Sequence, residues 1–285
     1  MAPASLKRVE KIEELRAAVA EARRAGKLIG FVPTLGGLHA GHGSLIEAAR
    51  RDCGYVVVSV FLNALQFGPG EDFDAYPRDL EADQAFCERH GADVLFAPSH
   101  EEMYPREQLA FVEVDRLSGR LGSAFRPGHM RGVATVVAKL LNIVQPDFAY
   151  FGEKDPQQLA VVRRMTEDLN MPARIVACPT VREADGLAMS TRNRYLSPEE
   201  RRRAPALHQA LEKARSAAEA GERSAAALAA IVRGHLQRSE IEPQFVEVVD
   251  PDTLEPLETV TGRALIALAA YVGKTRLIDN VIVEV

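Results

Sequence analysis

Apolar residues along the chain follow two alternating rhythms. Ile12, Leu15 and Val19 stand at helical spacing within residues 9–25, and Gly26 supplies a stop signal. Residues 27–33 read as a buried strand, and helical spacing resumes over residues 42–53 through Leu45, Ile46 and Ala49. The β-branched run YVVVSVFL at residues 55–62 has the length and composition of a parallel-sheet strand. The pattern continues as helix 78–90, strand 92–98, helix 133–144, strand 148–152, helix 157–170 and strand 174–179. Such alternation predicts an open, Rossmann-like parallel α/β sheet with helices on both faces and right-handed crossovers.

The texture changes after Arg194. Ser197-Pro198-Glu199-Glu200 combines a capping serine, a proline at the first helical position and a glutamate at the third. An alanine-rich, charged helical stretch extends to about Gln237. Candidate strands at 245–249, 264–271 and 276–283 close the chain. The expected division is a Rossmann-like domain over residues 1–181 and a smaller α+β domain over residues 182–285. No repeat or low-complexity linker separates them.

Composition narrows the class. Of 285 residues, 47% are hydrophobic and 26% charged, which suits a globular protein with a sizeable core. A net charge of −5 gives no general attraction for nucleic acid, so affinity for phosphate must come from local arrangement. Cys53, Cys87 and Cys178 lack metal-ligand spacing and cannot all pair with one another, which points to a reducing compartment. No secretory signal is evident, and the longest apolar run, near 55–62, is too short to span a bilayer. The expectation is a soluble, cytoplasmic protein without a membrane or nucleic-acid partner.

Ligands on open parallel sheets bind beyond the carboxyl ends of the strands. That rule selects the loops at residues 34–41, 63–77, 153–156 and 180–194. In the first, Gly36, Gly37 and Gly41 let backbone approach a ligand, and the helix start favours an anion. His39 and His42, three apart, can point to one side and donate to a phosphate. Two ordinary surface histidines beside a glycine turn would give the same H-x-x-H, but the strand–loop–helix setting favours the phosphate corner. Zinc is disfavoured because no glutamate follows the first histidine and no third ligand is evident. Neither the Walker loop nor the dinucleotide glycine pattern is present.

The second loop holds Asn63, Gln66 and Phe67; its two side-chain amides suit a substrate bearing carboxylate and hydroxyl groups, or simply cap the loop. In the third, Lys154 suits phosphate and Asp155 a helix cap or a ribose hydroxyl, with Gln158 one turn on. The fourth ends in Met189-Ser190-Thr191-Arg192, two hydroxyls and a guanidinium. Arg126, His129 and Arg131 add cationic character before a helix, with structural salt bridges as the alternative.

Five ordered segments carry a resemblance: PTLGGLHAGH, FLNALQFGPGEDFDAYPRDLE, RPGHMRGVATVVAKLLNIVQPD, YFGEKDPQQLAVVRRM and PTVREADGLAMSTRNRYLS. Together they resemble the pantothenate synthetase (pantoate–β-alanine ligase) family, within the HxGH nucleotidyl transferase superfamily. The resemblance implies that ATP and pantoate form an enzyme-bound pantoyl adenylate with release of pyrophosphate. β-Alanine then displaces AMP to give pantothenate. It also implies a homodimer, a Mg²⁺ requirement with ligands unassigned, and a carboxy-terminal domain that acts as a lid.

Carried over by motif, the resemblance assigns ATP to Leu35, Gly36, Gly37, Leu38, His39, Ala40, Gly41 and His42. Gly152, Glu153, Lys154, Asp155, Val181, Met189, Ser190, Thr191 and Arg192 complete that set. It assigns pantoate to Gln66 and Gln158, with Gln66 also near β-alanine. His42, His39, Lys154 and Arg192 are the expected catalytic groups, with Arg126 and His129 in a family motif but unassigned. The chain departs from the usual pattern at Leu35, Gly37, Gly43, Ala64, Leu65, Pro156 and Thr191. Ala64 and Leu65 bear on how the pantoate pocket is lined. Another two-histidine nucleotidyl transferase would explain the first loop but not the ordered set. A silent ATP-binding regulatory module is the remaining rival.

Overall fold

A computed structural model describes residues 6–285 of the chain; the first five residues of the expected first domain lie outside them. The chain forms two compact units. The first runs to Val114 and takes in Arg126–Glu153 and Val161–Pro179; the second comprises Asp115–Phe125, Lys154–Ala160 and Thr180–Val285.

The elements of the first part of the chain are β1 (Lys7–Val9), α1 (Ile12–Arg24), β2 (Ile29–Thr34), α2 (Ala40–Asp52), β3 (Tyr55–Val60), α3 (Leu80–Arg89) and β4 (Val94–Phe96). They continue as α4 (His100–Met103), α5 (His129–Val144), β5 (Phe148–Gly152), α6 (Pro156–Asp168) and β6 (Arg174–Cys178). The six strands form one parallel sheet in the order β1-β4-β3-β2-β5-β6. Chain order reverses between β2 and β5, so the loops leaving their carboxyl ends occupy the position where such sheets take ligands.

The strands are apolar throughout because both faces are covered. Phe31, Val32, Val56, Val57, Val58, Leu95 and Tyr150 are completely buried. Each large apolar side chain so enclosed contributes about 1.5–3 kcal/mol relative to exposure. Helix α1 packs on α5, while α2 packs on β2, β5 and α3.

The second unit carries α7 (Pro198–Arg203), α8 (Ala206–Glu219), α9 (Ala225–Arg238) and an antiparallel sheet of β7 (Glu242–Val249), β8 (Arg263–Val272) and β9 (Thr275–Glu284), in that order. Leu207, Leu211, Leu228, Val232 and Leu236 of the helices form one apolar core with Val246, Ile266 and Leu268 of the sheet.

Five features differ from the sequence-based expectation. Strand β1, three residues at the sheet edge, and the single-turn α4 are too short to show a period. The stretch expected as helical is divided into three helices. Pro205 follows the end of α7, and Ser224 caps α9 by accepting from the amide of Ala227. Helix α5 starts a turn early, at His129, and α2 starts at Ala40 rather than near His42. No helix of the described residues is long and apolar enough to cross a membrane.

Candidate functional site

The loop after β2 is built by hydrogen bonds that consume its own amides. Thr34 Oγ1 donates to the Ser59 carbonyl (2.8 Å) and accepts from the amide of Gly36 (3.2 Å). The buried carboxylate of Asp83, on α3, accepts from the amides of Gly37 (3.0 Å) and Leu38 (2.8 Å). Gly36 and Gly37 have φ of +91° and +63°, the left-handed region where a Cβ is penalised. The departure at Gly37 therefore relaxes the turn. Gly41 has another use: it lies inside the first turn of α2 and donates its amide to His39 Nδ1 at 3.1 Å.

His39 is the N-cap of α2, and the two histidines cap reciprocally: His42 Nδ1 accepts from the His39 amide at 3.3 Å. Their rings lie 4.1 Å apart, tilted by 37°. A ring nitrogen that accepts a hydrogen bond carries no proton. Each imidazole is thus held as the Nε2–H tautomer, and each has an N–H donor on the ring edge away from the helix backbone. The amides of Gly36, Gly37, Leu38, His39 and Gly41, which the sequence offered to an anion together with the two rings, are engaged within the protein.

Gln66 closes a 3-10 turn, Ala64–Gln66, and is buried. Asn63 Nδ2 donates to Gln66 Oε1 (3.1 Å) and to the Gly132 carbonyl (3.2 Å), and Asn63 Oδ1 accepts from Tyr104 Oη (2.9 Å). Asn63 is therefore committed to holding Gln66. With Gln66 Oε1 engaged, its Nε2–H₂ is the end suited to a carboxylate or hydroxyl. The RPGHMRG segment braces the same turn. His129 Nδ1 donates to the Gln66 carbonyl (2.7 Å), and its Nε2 accepts from Arg126 (2.9 Å). A Cβ on Gly132 would fall 2.2 Å from the Leu65 carbonyl oxygen, so only glycine lets α5 approach this closely.

Arg126 also binds Glu71 through two hydrogen bonds of 2.7 and 2.5 Å. Burial raises the Glu71 pKa, but the Arg126 guanidinium outweighs it and holds the carboxyl below its ordinary value. Arg131 stacks on Phe111 at 4.0 Å. Arg126 makes the structural salt bridge that the sequence left open as an alternative.

Among the remaining expected residues, Gly152 ends β5 and the Glu153 amide donates to the Cys178 carbonyl at 2.9 Å. In the second unit, Asp155 Oδ1 accepts from the Gln158 amide (3.1 Å) and so caps the start of α6. Burial pushes the Lys154 ammonium below the ordinary lysine value; Asp155 and Asp279 oppose that shift, while Arg192 and Arg276 add to it. The Val181 carbonyl accepts from the Met189 amide (3.0 Å), which brings the ends of that loop together. Ser190 caps the 3-10 turn Thr191–Tyr195 by accepting from the Arg192 amide (3.3 Å), and Thr191 is buried. Gln157, beside Gln158, is buried with its Nε2 2.9 Å from the Leu117 carbonyl and 2.7 Å from Ser123 Oγ, an anchor rather than a ligand group.

Sequence reasoning missed Asp83, Tyr104, Asp279 and Asn280. Asp83 stands among other acidic residues early in a helix and Asp279 in an apolar strand, so only the buried aspartate within β9 was a usable signal. Among the described residues, no group of three or more His, Cys, Asp or Glu is placed to hold a metal ion.

A six-stranded parallel sheet with a glycine corner beside its order reversal, followed by a small antiparallel α+β unit, defines a Rossmann-like α/β protein with an appended sheet domain. The model of the family described as pantoate-beta-alanine ligase matches residues 7–282. The chain belongs to this family. It is 55% identical over 278 residues to a pantothenate synthetase of Heliobacterium modesticaldum, covering 97% of this chain and 99% of that one. A crystal structure of pantothenate synthetase from Thermus thermophilus superposes with TM-score 0.90 at 48% identity, covering 96% of this chain and 98% of that one. The pantoate-beta-alanine ligase of Francisella tularensis, solved with beta-gamma ATP and beta-alanine, gives TM-score 0.82 at 31% identity, with 97% of each chain covered.

Proposed function

We propose that this chain condenses pantoate with β-alanine at the expense of ATP, through an enzyme-bound pantoyl adenylate, releasing AMP and pyrophosphate. Family membership supplies the reaction class. The observation that carries the mechanism is the capped histidine pair, whose Nδ1 atoms are occupied by backbone amides so that two Nε2–H donors are fixed in advance.

The pantoate carboxylate, already ionised at neutral pH, needs no base to attack the α-phosphorus. Charge grows on the phosphoryl oxygens and on departing pyrophosphate. His39 and His42, with Lys154, Ser190 and Arg192, are the donors we assign to it; Leu35–His42, Gly152–Asp155, Val181 and Met189–Arg192 form the ATP set. Donors held rigidly in advance stabilise such charge without solvent reorganisation. Gln66 presents Nε2–H₂ to pantoate or to β-alanine, and Gln158 joins it for pantoate. In the second step the β-alanine amine attacks neutral, the carbonyl–oxygen bond to AMP breaks, and a histidine relays the amine proton.

Mg²⁺ is expected with ATP, as the partner of its phosphates. A cytoplasmic homodimer, with residues 182–285 acting as a lid, completes the reading.

Pyrophosphate exchange into ATP with pantoate present and β-alanine absent tests it. Exchange dependent on pantoate, with AMP formed once β-alanine is added, is expected. ADP formation, or exchange indifferent to pantoate, overturns the proposal.

A further inference from the structure

Strand β9 carries a buried aspartate where its alternation calls for an apolar residue. Asp279, flanked two places away by buried Leu277, is only 2% exposed and pairs across the sheet with Leu268. It accepts from both terminal nitrogens of Arg182, at 2.8 and 2.9 Å. A buried ion pair of this kind seldom stabilises a fold more than apolar side chains of the same volume would. What it holds in place is therefore the point of interest.

Two segments are held. Arg182 forms an antiparallel bridge with Ala188 and donates to the Gly186 carbonyl (3.1 Å), so its guanidinium fixes the 181–189 loop to β9. The turn Thr191–Tyr195, carrying Arg192, packs against the same strand. The next residue, Asn280, donates from Nδ2 to the Lys154 carbonyl at 3.2 Å, while its amide donates to Asp279 Oδ1 at 2.8 Å. Arg182, Asp279, Asn280 and Lys154 thus form one connected chain of polar contacts.

We propose that Asp279 and Asn280 are positioning residues that hold Lys154 and the 181–192 segment in fixed register for the nucleotide phosphates; this rests on the phosphate role assigned above to Lys154 and Arg192. Electrostatics supports it. Lys154 is faced by Asp155 of its own loop, Arg192, and Arg276 and Asp279 of β9, while His208 of α8 faces the Arg182–Asp279 pair. Burial and two guanidinium groups work against the ammonium, and Asp279 is one of two carboxylates that favour it.

The test uses Asp279→Asn and Asn280→Ala in the full chain. Two readouts are followed: the pantoate-dependent exchange reaction against pH, and the titration of Lys154 by NMR, assigned with Lys154→Arg. Removing the Asp279 charge is expected to lower the pH at which Lys154 deprotonates and to move the alkaline limb of kcat/KM for ATP the same way. In the Asp279→Asn/Lys154→Arg double variant that limb is expected not to move, because arginine stays charged. Asn280→Ala, which keeps every charge, is expected to raise KM for ATP about five- to tenfold, the worth of one net hydrogen bond, without changing KM for pantoate. If Asp279→Asn does not fold, this second variant decides. An unmoved Lys154 titration in folded Asp279→Asn, or a parental KM for ATP in Asn280→Ala, overturns the inference while Lys154→Ala still loses ATP affinity. Parental ATP affinity in Lys154→Ala strikes the phosphate assignment itself, and this inference with it.

Discussion

Asp83 on α3 grips the backbone of Gly37 and its neighbour Leu38 with one carboxylate, at 3.0 and 2.8 Å. The glycine corner is therefore shaped from outside itself, by a residue 45 positions beyond Leu38. Asp83→Ala would leave two buried amides without their acceptor, at about 1–3 kcal/mol each. We expect a loss of about 2–6 kcal/mol in urea unfolding on that basis, with a raised KM for ATP. Parental stability would show that water or a relaxed loop replaces the carboxylate.

His42→Ala deletes one Nε2–H donor and the acceptor of the His39 amide. The structural cost is that of a weakened helix cap, about 1 kcal/mol, so the variant should remain folded. Removing a preorganised donor to transition-state charge costs roughly 10²–10³ in turnover. Pantoate-dependent pyrophosphate exchange should fall by about that factor while circular dichroism stays unchanged. Near-parental exchange would take His42 out of the chemistry.

The parallel sheet and the later α+β unit were legible because both leave periodic traces: continuous apolar runs in the doubly covered strands, and a charged alanine-rich stretch ahead of three strands. The histidine corner was legible because its glycines and histidines are neighbours in sequence. Its hydrogen-bond partners were not. Asp83 reaches Leu38, Tyr104 reaches Asn63 and Asn280 reaches Lys154 over long sequence separations. Tertiary packing sets those pairings, and a polar residue carries no periodic mark of its partner. The same holds for His129, whose motif showed only cationic character and whose ring donates to the Gln66 carbonyl.

The Glu71–Arg126 pair predicts an acid signature. Burial opposes the Glu71 charge and Arg126 more than restores it, so the folded pKa lies below the unfolded one. A depressed carboxyl contributes stability above its unfolded pKa and loses it as pH falls through the folded value. Glu71→Gln should thus be clearly less stable than the parent at neutral pH, since Arg126 loses its partner. The gap should narrow as pH drops below the ordinary glutamate range. A gap that stays constant with pH, measured by urea unfolding across the acid range, would show that the pair adds nothing through ionisation.

Gly43, directly after His42, is where α2 meets the end of α3. A Cβ there would lie 2.7 Å from His90 Cε1 and 3.0 Å from both ring nitrogens. His90 cannot swing away freely: Nδ1 is 2.8 Å from Glu47 Oε1, and its ring packs on Phe86 with centroids 4.3 Å apart. Alanine normally improves on glycine in a helix by about 1 kcal/mol, whereas overpacking costs about 1–3 kcal/mol. Gly43→Ala should therefore be neutral to destabilising instead of stabilising. In a His90→Ala background the clash is gone and the helix preference remains, so the same change should stabilise. A double-mutant cycle in urea reads this as a coupling of about 1–3 kcal/mol, and additive values would show that the ring moves aside without cost. Displacement of the first turn of α2 also moves His42, so exchange activity should fall in Gly43→Ala and recover in the double variant. Its recovery would tie the glycine at this position to the ring of His90 rather than to any demand of the nucleotide.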